Sequence, residues 1–170
     1  MTLPFPPAPK AHPNLKVGSL FAIDGGDGFV YYGQVAPFDV FAFPRFRSHT
    51  LDAAGALSAP IMSRFVVQFA SVVKAVRGGI WVTLGRQPLW PELNVQPVMA
   101  QWPVRTQRLT LWQGSQMIRD AMASDPDVQD VEVLAAYDAS AHVPRRLVAD
   151  FNLDVEAGGS VLGHRLKKER

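Results

Sequence analysis

The stretch from Ser19 to Val35 limits what this chain can fold into more than any other. Two apolar, β-prone runs, Ser19 to Ile23 and Phe29 to Val35, flank Asp24-Gly25-Gly26-Asp27-Gly28, whose residues tolerate positive φ. The pattern predicts a β-hairpin. The same five residues are not a phosphate cradle. They lack the Lys-Ser/Thr ending of a P-loop and lead into a strand, where such a loop opens a helix.

Downstream, Asp39 to Phe43 reads as a third strand, closed by Pro44, which cannot donate to a central ladder. Residues 47 to 60 read as a loop. Phe65 to Val73 is rich in β-branched and aromatic residues and is expected to be a strand, with a helix running on to Val76 as the other reading. Gly78-Gly79 breaks the chain before a strand at Ile80 to Leu84, which Gly85 ends. Gln87 to Pro103 carries Pro88, Pro91, Pro97 and Pro103, so extended turns over the surface are expected. Leu109 to Trp112 reads as a strand. Met117, Ile118, Ala121 and Met122 have helical spacing, which predicts a helix over Ser115 to Ala123, stopped by Asp125-Pro126. Val131 to Ala136 is then a strand, and Pro144 to Phe151 a short helix with Pro144 in its first turn.

A run of strands followed by a helix, a strand and a last helix fits α+β better than the regular alternation of a parallel α/β sheet. The expected architecture is a curled antiparallel β-sheet or a small SH3-like barrel with one or two helices packed on it. Hydrophobic residues at 48% against 19% charged ones favour a packed body over disorder. The expected organisation is a Pro-rich extended arm at 1–15, a single globular domain at 16–163 and a basic tail at 164–170. Arg64, Lys74 and Arg77 interrupt the most apolar stretch, so no membrane-spanning helix is expected. The N-terminus lacks a basic start followed by an apolar run, which points to the cytoplasm.

Chemistry-bearing patterns are sparse. With no cysteine there is no thiolate nucleophile and no Cys-ligated metal. His12, His49, His142 and His164 are scattered, without the spacing of a metal site. Ser48, His49 and Asp52 bring three triad residue types close together, but no nucleophile elbow accompanies them, and a solvated loop accounts for them better. No catalytic residue, metal or cofactor is expected, and the chain reads as a non-enzyme. Phe41, Phe43, Arg45, Phe46 and Arg47 interleave aromatic rings with arginine, as single-strand nucleic-acid surfaces do. The competing account is a strand end with core rings and solvated arginines, so nucleic acid is not the expected partner. A net charge of +2 adds nothing in its favour. Trp81, Trp90, Trp102 and Trp112 are expected in the core, although a loop tryptophan can anchor a partner.

Taken together, Lys16-Val17-Gly18-Ser19-Leu20-Phe21-Ala22-Ile23, the Asp27-Gly28 turn and Tyr31-Tyr32-Gly33-Gln34-Val35 resemble the opening of the immunity protein 26 family of bacterial polymorphic toxin systems. Trp81-Val82-Thr83-Leu84-Gly85, followed by Pro88-Leu89 and Glu92-Leu93, resembles that family's later Trp-containing block. The resemblance spans roughly Lys16 to Val98. It implies a non-enzymatic antidote in the bacterial cytoplasm that binds a cognate toxin protein and neutralises it. The alternative is a small β-barrel binding module for nucleic acid or a peptide. Candidate partner-binding residues are Arg86, Trp90, Glu92, Arg45 and Arg47, with the first three expected near the Gly25 to Gly28 turn.

Overall fold

The computed structural model describes residues 3–153, and the expected basic tail at 164–170 lies outside them. The chain runs through β1 (Ser19–Asp24), β2 (Val30–Ala36), β3 (Val40–Pro44), α1 (Ala53–Ser58), β4 (Ile61–Val67), α2 (Phe69–Arg77) and β5 (Trp81–Arg86). It continues through β6 (Val98–Gln101), β7 (Arg108–Gln113), β8 (Gln116–Met122), β9 (Glu132–Val133), β10 (Ala136–Tyr137) and α3 (Val143–Phe151). Among the described residues this is an α+β protein with two open, mostly antiparallel sheets and three helices. Two compact units divide it. One holds the residues up to Asn94 together with Ala136–Phe151, and the other holds Val95–Ala135.

In the first unit the strands lie in the order β10-β4-β3-β2-β1-β5. The expected small barrel does not form, because the end strands β10 and β5 do not pair with each other. Strand β10 contributes only Ala136 and Tyr137, in a parallel ladder on Val66 and Val67, and closure needs two full edges. The sheet stays open and buries both faces instead. Side chains alternate across a strand, so Phe21, Ile23, Tyr31, Val35, Phe41, Phe43, Phe65 and Trp81 share one core with Val72 and Val76 of α2 and Leu147 of α3. The intervening residues Ala22, Val30 and Tyr32 pack on the other side with Phe5 and with Ala56 of α1. Among the described residues the helices therefore number three, where one or two were expected, and they cover both faces of this sheet.

The Pro-rich segment is held against this unit. Phe5 is buried, its N–H donates to the Gly79 carbonyl at 3.1 Å, and the Ala8 N–H donates to Arg77 O at 3.0 Å. The apolar run at 65–76 divides in two. A strand ends at Val67, Gln68 stays extended, and Phe69 begins α2, whose buried residues Ser71, Val72, Ala75 and Val76 recur at helical spacing. The expected loop at 47–60 contains α1, capped by Asp52, whose carboxylate accepts from the Gly55 N–H at 2.8 Å.

The second unit is a sheet ordered β8-β7-β6-β9 over a core of Ala100, Leu109, Leu111, Ala121, Ala123 and Val128. The helix expected over Ser115 to Ala123 is strand β8. Gly114 at φ 60° and Ser115 form a two-residue hairpin turn that sets Gln113 opposite Gln116. Met117, Ile118 and Met122 remain exposed, so their helical spacing marks no buried face. Strand β6 lies inside the Pro-containing stretch where only turns were expected. The predicted strand at 131–136 is split between the units, with Glu132–Val133 beside β6 and Ala136–Tyr137 beside β4.

Candidate binding surface around Arg47

The hairpin turn binds three of its N–H donors internally. The Gly26 N–H donates to the Asp24 carboxylate at 2.8 Å, the Phe29 N–H to Asp27 Oδ1 at 3.1 Å and the Gly25 N–H to Phe29 O at 3.1 Å. The first two are Asx turns, and the three bonds together stabilise the bend. Asp27 also reaches back along the strand, where its Oδ2 accepts from the Tyr31 hydroxyl at 2.8 Å.

A bridge between Val30 and Ser48 lays residues 45–49 beside the hairpin, with N–H to O=C distances of 2.7 and 3.0 Å. That contact delivers Arg47. Its guanidinium sits 3.9 Å from the Phe29 ring centroid and 4.4 Å from that of Phe151, donates to the Tyr31 hydroxyl at 3.2 Å and lies 3.6 Å from Asp27 Oδ2. Each ring face attracts the cation, by about 0.5–2 kcal/mol depending on desolvation. His49 stacks on Phe29 at 4.4 Å, and Arg45 donates to Phe151 O at 3.3 Å. The Arg47 and Asp27 side chains are 25% and 24% exposed, so the cluster is fixed from behind and open in front. Burial raises the Tyr31 pKa, Asp27 raises it further, and Arg47 works against both.

Of the five candidate contacts, the structure brings Arg45 and Arg47 together on Phe151. Arg86 pairs with Ser19, at the end of β1 remote from the turn and roughly 15 Å along the strand from it. Trp90 is 9% exposed and donates its indole N–H to Ala59 O at 2.9 Å. Glu92 is exposed in a 3₁₀ turn at Pro91–Asn94, where its charge partly offsets the burial that lowers the Arg64 pKa. The expected proximity of these three residues to the Gly25 to Gly28 turn is therefore not seen for Arg86.

No family model, curated protein or solved structure matches this chain. Function must be argued from its own residues. Phe41 and Phe43 lie in the core at 0% exposure and are not available to stack on bases. Ser48 is engaged by Tyr32 and Thr50, Asp52 caps α1, and His49 lies on Phe29, so each has a local structural role. Among the described residues no group of three or more His, Asp or Glu side chains is placed to hold a metal, and no helix is long and apolar enough to cross a membrane. Sequence reasoning missed Asp27, Phe29 and Tyr31 as parts of the surface, although all three belong to the hairpin it identified. Phe151 was beyond reach, because only the fold carries the end of α3 to the hairpin.

Proposed function

We propose that this chain is a non-enzymatic immunity protein that neutralises a bacterial toxin domain in the cytoplasm and grips it through the Arg47 cluster. The observation that carries this reading is the guanidinium held between Phe29 and Phe151 and hydrogen-bonded to Tyr31. Arginine and aromatic residues dominate binding hot spots, and a side chain already fixed in the free protein forfeits little entropy on association. Supporting it, the two stretches that resemble the immunity protein 26 family are adjacent strands, with Phe21 opposite Thr83 and Ile23 opposite Trp81.

The test is co-expression with the toxin domain encoded beside the gene, scored by survival and co-purification. Wild type should rescue growth and form a stable complex. Arg47→Ala, folded by circular dichroism, should weaken the complex by about 2 kcal/mol, roughly thirtyfold in Kd. Absence of both rescue and binding by folded wild type would remove the proposal. Salt-sensitive oligonucleotide binding in its place would favour the binding-module alternative.

A further inference from the structure

We propose that the cleft between the Pro-rich segment and the β1–β5 pair binds a carboxylate group. The site lies at the opposite end of β1 from the Arg47 cluster and does not depend on the reading above. Its geometry begins with a β-bulge. Ser19 pairs with Arg86 and Phe21 with Thr83, so the single residue Leu20 opposes both Leu84 and Gly85. Gly85 takes φ 81°, a conformation that side chains other than glycine's rarely adopt, and such a bulge re-aims the residue beside it, here Arg86. An added Cβ at Gly85 would meet nothing within 4 Å.

The cleft holds about 210 Å³. That is below the several hundred Å³ typical of drug-sized ligands and suits a carboxylate on a short stem. Its apolar lining comes from Pro13, Leu20 and Phe21, and its polar lining from His12, Asn14, Ser19, Thr83 and Arg86, with no acidic side chain. A carboxylate would meet only neutral and basic groups. Two observations point to a ligand. Ser19 is 3% exposed, yet its hydroxyl has no hydrogen-bond partner among the described residues, which is uncommon for a buried polar atom. Arg86 gives one donor to Val17 O at 3.2 Å, and a guanidinium carries five in a planar fork that matches a carboxylate.

The walls are braced before any ligand arrives. Gln34, fully buried, shares the two N–H donors of its amide among Gly18 O, Gln87 O and Pro88 O, at 3.1, 3.0 and 3.2 Å. This ties the segment before β1 to the segment after β5. Arg86 is therefore held on a fixed frame, although its side chain reaches solvent.

The experiment is amide NMR of the full chain titrated separately with sodium glutarate and with a blocked Gly-Glu-Gly peptide, using sodium chloride at matched ionic strength as control. Saturable shifts at Ser19, Leu20, Gly85 and Arg86 are expected, with Kd on the order of 1 mM for the better ligand. Tighter glutarate binding would identify a free metabolite-like acid, and tighter peptide binding an acidic side chain of a partner. Arg86→Gln, at an exposed position and with its fold checked by the dispersion of its amide spectrum, should weaken binding at least about tenfold. Two results would overturn the proposal: no saturable shift with either probe, or unchanged affinity in Arg86→Gln.

Discussion

Tyr31 lies where the hairpin, the Arg47 side chain and the core meet, and its phenol reports on all three. Burial first, and then Asp27, raise its pKa above the ordinary 10.0, while Arg47 lowers it. The folded state thus favours the neutral phenol. Its contribution to stability is complete below the ordinary tyrosine value and is lost as pH climbs through the elevated one. Arg47→Met should therefore push the Tyr31 titration higher, and Asp27→Asn should bring it down, as followed by ¹³C NMR of labelled tyrosine. A shift of the opposite sign in either variant would mean that Arg47 and Asp27 do not contact the phenol in solution. Arg47 could be named from the sequence as one of an arginine–aromatic group, but its true partners could not. Phe41 and Phe43 are nearer in the chain, yet strand alternation sends both into the core.

At the scale of an element, α3 shows how a helix with a mixed face is fixed. Arg146 and Asp150 are buried one turn apart, with Nε to Oδ2 at 3.1 Å, and Ser63 of β4 donates to the same oxygen at 2.7 Å. The guanidinium also stacks over Phe65 at 4.0 Å and Tyr137 at 4.8 Å, which fastens α3 to β4 and β10. Removing one partner leaves a buried charge, so Asp150→Ala should cost about 3–5 kcal/mol in urea denaturation. The double change Arg146→Met with Asp150→Leu should recover most of that loss, because no charge then stays buried. A double variant at least as unstable as Asp150→Ala would show that specific geometry, beyond charge compensation, holds the helix. In contrast, β8 is an edge strand with Met117, Ile118 and Met122 exposed. Ile118→Thr should change stability by less than about 0.5 kcal/mol.

For the whole molecule, the two units differ in how much they bury. Among the described residues, the first surrounds its sheet with two clusters that hold most of the buried aromatic rings, whereas the second buries Met99 and a cluster of small and aliphatic residues, Ala100, Leu109, Leu111, Ala121, Ala123 and Val128. Apolar burial is the main stabilising term, so the second unit should open at lower free energy. Native-state hydrogen exchange should find amides of β7 exchanging faster than those of β1 to β3. Equal protection of the two sheets would mean that they unfold as one cooperative body.

Local chemistry was enough to determine the hairpin at Ser19 to Val35, the strands at β3, β5 and β7, the helix opening around Pro144 and the α+β class. Each depends on neighbours in the chain: turn residues that accept positive φ, short β-branched runs and a proline in a first helical turn. Only the tertiary structure decided that Gln116–Met122 is a strand, that the large sheet stays open, that Val131 to Ala136 divides between two sheets and that Phe151 completes the Arg47 cluster. Those outcomes turn on hydrogen-bond partners and packing surfaces far away in sequence, and no window of local residues contains them.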